Sequence, residues 1–280
     1  MSDHPAPLPP ALRRARRTIR FQRFGPAKSL AGAAATASLV LPAEFVLRTL
    51  SGRDRAHLPV LFHRGLARAL GIRITTHGRP AGGTRQRNGN GVLYVSNHVS
   101  WADVPVLGAR IRAAFVAKAE VSGWGVVGWF ATFARTVYVE RERRAKAGEQ
   151  RDAIAERLAR GESVILFPEG TNSDGVDVLP FKTSLFAMTT DHPETLIQPV
   201  TIAYTRVNGM PVTRERLPDL AWIGETELVP HAVAFMSLGR VRAELIFHPP
   251  VRAGDFADRK ALARHCQDVI ADGYRRLMRG

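Results

Sequence analysis

A histidine and an aspartate five residues apart are the first side chains in this sequence whose types and spacing could do chemistry. They are His98 and Asp103, in the segment SNHVSWAD at residues 96 to 103. An imidazole accepts a proton from an alcohol more readily when a carboxylate fixes its tautomer and stabilises the imidazolium. The pair therefore predicts general-base activation of a hydroxyl, without a serine or cysteine nucleophile. Helix capping or a core role is the structural alternative.

A second motif, FPEGTNSDG at residues 167 to 175, has the composition of an anion-binding loop. Gly170, Thr171 and their neighbours offer backbone N–H groups and hydroxyls to an anionic head group. Glu169 does not suit an anion, and we expect it to orient neighbouring Arg or His side chains as part of the binding loop. Lys182 follows as a further candidate anion contact, with a surface helix charge as its alternative. An ordinary polar turn is the alternative for the whole loop.

Both motifs follow short apolar runs that read as buried strands. Ser100 is the expected N-cap of the helix after the first motif, and Gly161 is the expected C-terminal cap of a helix before the second. Strands are predicted at residues 92 to 96, 113 to 117, 136 to 140, 163 to 168, 196 to 204 and 241 to 248, and helices at 145 to 160 and 257 to 278. This alternation predicts an α/β fold with a mixed, largely parallel sheet covered by helices. Catalysts in such folds gather at the carboxyl ends of strands.

The N-terminal region differs from the rest of the chain. Residues 13 to 28 carry seven cations and no acid, and an uncharged run follows at 29 to 43. That run is shorter than the roughly 18 residues of a spanning helix, so we expect a helical segment that lies on the cytoplasmic face of a membrane, on anionic lipids. A secretory signal and a basic tail before a core helix are the alternatives. The Gly-rich loop at 78 to 91 separates a membrane-associating region at 1–77 from a catalytic domain at 78–280.

Charge and cysteine content narrow the functional classes. The 280 residues carry a formal charge of +15, which favours a polyanionic partner such as nucleic acid or an anionic membrane. Cys266 is the single cysteine, so one chain holds neither a disulfide framework nor a cysteine-rich zinc site. A basic nucleic-acid-binding protein is the rival class. No zinc-finger pattern, RNA-recognition motif or compelling helix-turn-helix signal supports it, and we expect no nucleic-acid partner.

The motifs and their order resemble the glycerolipid acyltransferases, typified by 1-acylglycerol-3-phosphate acyltransferase. Their catalytic N-H-x4-D motif is matched by Asn97, His98 and Asp103, and their phosphate-binding F-P-E-G-T motif by residues 167 to 171. A lysine-glutamate element is matched by Lys118 and Glu120. The following strand leads to Arg141, at the family's acceptor-binding position. A short proline-valine element appears as Gln198, Pro199 and Val200.

The resemblance implies acyl transfer from acyl-CoA or acyl-carrier protein to a lysolipid hydroxyl, with no metal or bound cofactor. Its leading acceptor is 1-acylglycerol-3-phosphate, bound by Arg141, Glu169, Gly170, Thr171 and Lys182. However, Asn172 stands where the family often has arginine, and several segments are similar to the branch that acylates lyso-ornithine lipid. That branch is the alternative acceptor class, and an inert membrane scaffold of the same fold is a further rival.

The aromatic residues at 121 to 134 have two alternative roles. Trp124 replaces the family's usual proline after the lysine-glutamate pair. Within the uncharged run at residues 121 to 134, Trp124, Trp129 and Phe130 either line an acyl groove or belong to a buried helix.

Overall fold

The computed structural model describes residues 25–51, 58–83, 89–119, 123, 137–139, 147–223 and 226–279. Within them, nine strands form one sheet. The strands are β1 (Ile72–His77), β2 (Val92–Ser96), β3 (Ala114–Lys118), β4 (Val137–Val139), β5 (Val164–Leu166), β6 (Leu196–Val207), β7 (Met210–Pro211), β8 (Val241–Phe247) and β9 (Val251–Arg252).

The sheet is mixed, with parallel strands in the majority. Its order is β1-β8-β6-β2-β5-β3-β4, with β7 and β9 also paired to β6. Strand β2 lies parallel to both β5 and β6, whereas β8 runs antiparallel to β6 and parallel to β1. This arrangement confirms the predicted α/β class. It also puts the carboxyl ends of β2 and β5, which precede the two sequence motifs, side by side at one edge.

Seven α-helices are described. They are α1 (Gly25–Ser51), α2 (Leu58–Ala69), α3 (Asp103–Gly108), α4 (Ala147–Ala159), α5 (Met188–Asp191), α6 (Leu228–Ser237) and α7 (Arg259–Arg279). Helix α7 covers one face of β6, where the Thr201 hydroxyl donates to the carbonyl of Ile270 at 3.0 Å. The neighbouring Tyr204 packs its ring against Phe235 of α6, on the other face. Gly161 lies just after the end of α4, at the predicted C-terminal cap. Its φ of 82° is in the left-handed region, which favours glycine.

Strand β1 was not predicted from the sequence. Its side chains beyond Ile72 are mostly exposed, so IRITTH lacks the apolar run that marks a central strand. It nevertheless pairs with β8 along six residues. The sheet thus includes residues that precede the predicted domain boundary at 78.

Helices α1 and α2 pack through small residues. A Cβ on Gly32 would lie 2.9 Å from the Cβ of Ala69, and one on Gly65 would lie 2.3 Å from a methyl carbon of Thr36. Leu30 and Leu39 of α1 remain 59% and 76% exposed. Among the described helices, none combines the length and apolar character needed to cross a bilayer.

Candidate active site

The segment after β2 is anchored to β6 by an asparagine side chain. The Asn97 amide nitrogen donates to the carbonyl of Ile202 at 2.9 Å, and its oxygen accepts the N–H of Ile202 at 2.9 Å. The side chain thereby replaces a backbone pair where β2 has ended. This anchor holds the next residue, His98, at the edge of the sheet.

His98 and Asp103 are in direct contact. The Nδ1 atom of His98 lies 2.8 Å from Oδ2 of Asp103, which also accepts the N–H groups of Val99 at 2.7 Å and Ser100 at 2.9 Å. Because a carboxylate only accepts, Nδ1 carries the proton and Nε2 remains a proton acceptor. Asp103 is fully buried, whereas the His98 side chain is 18% exposed. The pair therefore has the geometry of a general base with its orienting carboxylate.

Ser100 is not the helix cap that the sequence suggested. Helix α3 begins at Asp103, and the position before it is Ala102, with no side-chain cap. The hydroxyl of Ser100 accepts the N–H of Ala102 at 3.4 Å, within the turn before the helix. The Asp103 carboxylate accepts the N–H groups of Val99 and Ser100 in charge-assisted hydrogen bonds, which are stronger than neutral ones.

Tyr204 completes the environment of Asp103, and sequence reasoning missed it. Its hydroxyl donates to Oδ1 of Asp103 at 2.7 Å. Burial, followed by the nearby Asp103 charge, raises the pKa of Tyr204 well above its usual value, so the phenol stays a donor. The only sequence signal is a tyrosine within the apolar run of β6. Its relation to Asp103 depends on the pairing of β2 with β6.

The loop after β5 holds His98 from the other side. The Phe167 ring stacks on the imidazole with centroids 4.0 Å apart. Glu169 accepts the N–H of His98 at 2.6 Å and that of Leu179 at 2.8 Å, while the N–H of Ser173 donates to the carbonyl of His98 at 2.7 Å. The structure thus places Glu169 where it orients His98 through the backbone.

Glu169 is almost completely buried, and its protonation is correspondingly perturbed. Desolvation raises the pKa of this carboxyl to about 8, an effect that the two backbone N–H donors oppose and the Asp103 charge reinforces. Both carboxyl oxygens are already engaged by the backbone. A substrate anion therefore meets the rim of this loop rather than Glu169 itself.

The rim is formed by Gly170, Thr171 and Lys182. Gly170 has a φ of 73°, and a Cβ on it would lie 2.7 Å from the Nζ atom of Lys182, so that this lysine passes directly over the glycine. Thr171 and Lys182 are exposed. The amide nitrogen of Asn172 is buried and has no hydrogen-bond partner. Among the described residues, the rim thus combines the Lys182 cation with a buried neutral donor whose hydrogen bond is unsatisfied.

Several predicted residues cannot be placed. Arg141, Glu120 and the aromatic residues Trp124, Trp129 and Phe130 lie outside the described residues, and of Lys118 only the backbone is described, in β3. No group of three or more His, Cys, Asp or Glu side chains that could hold a metal occurs in the part of the chain that the structure describes.

The chain is similar in sequence to known acyltransferases. A family model described as Acyltransferase matches residues 77–203. The lyso-ornithine lipid O-acyltransferase of Brucella abortus is 42% identical over 82% of this chain and 86% of its own, and that of Rhodobacter capsulatus is 36% identical over 98% and 96%. The 1-acyl-sn-glycerol-3-phosphate acyltransferase of Neisseria meningitidis is 39% identical over 46% of this chain and 48% of its own.

A solved structure supports the same fold. The crystal structure of the 1-acyl-sn-glycerophosphate acyltransferase from Thermotoga maritima superposes with a TM-score of 0.62 over 91% of this chain and 95% of the other, at 22% identity. The sequence identity over most of the chain and the contact between His98 and Asp103 support one conclusion. This chain is an enzyme that belongs to the acyltransferase family, together with lyso-ornithine lipid O-acyltransferases and 1-acyl-sn-glycerol-3-phosphate acyltransferases.

Proposed function

We propose that the enzyme transfers a fatty acyl group from a thioester to the free hydroxyl of lyso-ornithine lipid, at the cytoplasmic face of a membrane. The relatives that align with most of the chain carry this proposal. Those from Brucella abortus, Rhizobium meliloti and Rhodobacter capsulatus are all named lyso-ornithine lipid O-acyltransferases and are 36% to 42% identical over 81% to 98% of the chain.

The chemistry follows from the geometry of the pair. Nε2 of His98 takes the proton of the acceptor hydroxyl, and Asp103 stabilises the resulting imidazolium through Nδ1. The acceptor oxygen attacks the thioester carbonyl and forms a tetrahedral oxyanion. The C–S bond then breaks, the thiolate leaves, and the imidazolium returns the proton to it. The products are an ester and a free thiol, and His98 is regenerated.

The composition of the loop rim favours this acceptor. The lyso-ornithine head group carries an amine and a carboxylate, whereas 1-acylglycerol-3-phosphate carries a phosphate dianion. Asn172 provides a neutral N–H donor where many family members have arginine, and its amide nitrogen lacks a partner. A single carboxylate is satisfied by fewer cations than a dianion, because an unneutralised buried charge is costly.

The second candidate acceptor is 1-acylglycerol-3-phosphate, which the family resemblance alone favours. Relatives from Neisseria meningitidis and Neisseria gonorrhoeae bear its name, at 39% and 36% identity over 46% and 52% of this chain. These alignments are shorter than those with the lyso-ornithine lipid enzymes. We therefore place lyso-ornithine lipid first. Arg141, Thr171 and Lys182 are the proposed contacts for the head group of either acceptor.

The donor and the location are parts of the same proposal. Acyl-CoA or acyl-carrier protein supplies the thioester, as family resemblance implies. The cationic segment before Gly25 and the exposed leucines of α1 favour attachment to an anionic membrane surface.

A direct rate comparison tests the acceptor. The purified enzyme is given lyso-ornithine lipid or 1-acylglycerol-3-phosphate at equal surface density in mixed micelles, with acyl-CoA and acyl-carrier protein donors of one chain length. We expect kcat/KM at least about tenfold higher for lyso-ornithine lipid, which corresponds to about 1.4 kcal/mol. A tenfold preference for the phosphate acceptor would overturn the proposal.

A substitution pair refines the test. Asn172→Arg adds the cation found in many family members and should shift the rate ratio towards 1-acylglycerol-3-phosphate by about tenfold. Asn172→Gln keeps a neutral amide and is the matched control, with a shift of less than about threefold. An equal shift in both variants would show that position 172 acts through packing and not through charge.

A further inference from the structure

Four arginines surround a cavity of about 430 Å³ at the end of strands β1, β6 and β8. Arg73, Arg206, Arg240 and Arg242 line it, together with the turn formed by Asn208 and Gly209. The cavity lies away from His98. Arg206 lies four positions along β6 from Ile202, the residue that binds Asn97 next to His98, which is roughly 13 Å along an extended strand.

Three of these arginines form a row across adjacent strands. Arg242 of β8 is in register with Arg73 of β1 on one side and with Arg206 of β6 on the other. Neighbouring strands are about 4.8 Å apart, and like charges directly opposite each other are destabilising. The protein therefore maintains a local repulsion that a bound anion would relieve.

Nearby carboxylates offset the charge of this row only in part. Among the described residues, no carboxylate oxygen makes a salt bridge with the four arginines. Against the effect of burial, hydrogen bonds from His77 and Thr205 and the charge of Arg242 lower the pKa of Glu244, two positions along β8. Its two oxygens lie 2.9 Å from Nε2 of His77 and 2.8 Å from the hydroxyl of Thr205.

The wall of the cavity is preorganised by a tight turn. Asn208 and Gly209 have φ values of 52° and 88°, as in the Asn-Gly hairpin turns that connect antiparallel strands. The Asn208 side chain donates to the carbonyl of Leu238 at 2.7 Å and accepts the N–H of Arg240 at 2.9 Å. The turn therefore fixes the backbone from which Arg240 projects.

We propose that this cavity binds the phosphate of an anionic phospholipid. Guanidinium groups bind phosphate oxygens through paired hydrogen bonds, and several of them at strand spacing suit a multi-oxygen anion. An exposed apolar side chain next to the cavity favours a lipid over a soluble phosphate. Met210, beside Gly209, is 65% exposed.

The start of helix α1 packs against the end of α6, which precedes Arg240 in the chain. Its first residue, Gly25, packs so closely on the end of α6 that an added Cβ would lie 2.5 Å from the carbonyl oxygen of Met236. That helix end leads directly into Arg240. Leu30, just over one helical turn further along α1, is 59% exposed. Cations flanked by exposed apolar side chains are typical of surfaces that contact the bilayer interface.

The site goes beyond the acyl transfer proposed above. It would hold a bilayer phospholipid that is not consumed, and so orient the enzyme on the membrane. Its test measures vesicle binding rather than turnover, so that the two proposals can fail separately.

The experiment compares full-length variants in sedimentation with phosphatidylcholine vesicles, with or without phosphatidylglycerol. The variant Arg206→Gln with Arg242→Gln should lose about tenfold in affinity for the anionic vesicles. The control, Arg259→Gln with Arg264→Gln, removes the same charge from exposed positions on α7 and should lose less than about twofold. Arg206→Lys with Arg242→Lys keeps the charge without the guanidinium fork and should recover the affinity only in part.

Lipid-free stability and phosphate competition complete the test. Because Arg242→Gln relieves repulsion with both neighbours, its melting temperature without lipid should equal or exceed that of the wild type. Inorganic phosphate at lipid-equivalent concentration should not displace the vesicles. Equal affinity losses in the Gln variant and its charge-matched control would overturn the site, and displacement by inorganic phosphate would overturn its assignment to a lipid.

Discussion

The hydroxyl of Tyr204 donates a hydrogen bond to Oδ1 of Asp103 at 2.7 Å, while Oδ2 of the same carboxylate lies 2.8 Å from Nδ1 of His98. Both oxygens of a fully buried carboxylate are thereby committed. Tyr204 is 101 residues from Asp103 in the sequence and does not touch the imidazole in the described contacts. It is a positioning residue, which acts on His98 through Asp103.

Tyr204→Phe removes this hydrogen bond and leaves the ring contact with Phe235. A hydrogen bond to a charged group contributes about 1.5 to 3 kcal/mol, and part of that stabilises the carboxylate in the orientation that His98 needs. We expect kcat to fall about tenfold with KM nearly unchanged. Steady-state kinetics over a range of pH measure both quantities and report any shift in the profile.

A purely structural tyrosine would behave differently. In that case Tyr204→Phe would lower the melting temperature while the folded fraction kept wild-type kcat and an unchanged pH profile. That outcome would remove Tyr204 from the catalytic assembly.

His98→Ala tests the general base. Loss of a positioned base typically costs on the order of 10² to 10⁴ in rate, so turnover should fall by at least a hundredfold. The fold should persist, because Asp103 retains its bonds to the backbone and to Tyr204. Circular dichroism and thermal unfolding check the fold alongside the acyl-transfer assay. Activity within tenfold of wild type in a folded variant would refute the assignment.

Glu169 should make stability depend on pH. Its pKa is about 8 in the folded protein against 4.5 in the unfolded chain, so the folded state holds an extra proton between these values. Stability from this group is therefore complete below about pH 4.5 and is lost as pH rises towards 8. Because glutamine does not titrate, we expect the free energy of unfolding of Glu169→Gln to decline less between pH 5 and pH 8 than that of the wild type. Denaturant unfolding at the two pH values measures the decline in each protein. An equal decline in both proteins would contradict the prediction.

His63 should make the stability of the protein depend on pH in the opposite direction to Glu169. Burial lowers its pKa from 6.5 to about 4, and its Nδ1 atom is buried without a hydrogen-bond partner. The unfolded chain binds the proton first, so stability falls as pH drops from about 6.5 to about 4, by at most about 3 kcal/mol.

His63→Phe keeps an aromatic ring beside Phe62 and Phe115 and removes the titrating group. We expect the variant to lose less stability than the wild type between pH 7 and pH 4.5. Chemical denaturation at the two pH values compares them. If both proteins weaken equally, His63 does not carry this dependence.

Removing residues 1–24 tests membrane attachment by the N-terminal cations. Each cation near an anionic surface contributes about 1 kcal/mol, so the truncated protein should bind anionic vesicles much more weakly. Helix α1 begins at Gly25 and keeps its packing on α2, so the fold should survive. Unchanged co-sedimentation would assign the attachment to another surface.

The pairing of His98 with Asp103 was predictable from the sequence because it is local. Both residues belong to one strand-to-helix turn, and five residues around such a turn bring the two side chains within reach. The central strands were predictable for a similar reason, since buried parallel strands such as β2 and β5 read as continuous apolar runs. Even so, the start of the helix was misplaced, because residue 102 and not Ser100 occupies the N-cap position of α3.

Tyr204, the bracing of His98 by Glu169 and the row of arginines were decided only by the tertiary structure. Each depends on which strands become neighbours and in which register. Tyr204 reaches Asp103 because β6 pairs with β2, and Glu169 reaches the backbone of His98 because β5 lies on the other side of β2. Arg73, Arg206 and Arg242 are far apart in the sequence and meet only through the pairing of β1, β8 and β6. Local sequence preference governs turns and strand-forming runs, but strand register is set by the burial of a whole sheet face, which no short segment encodes.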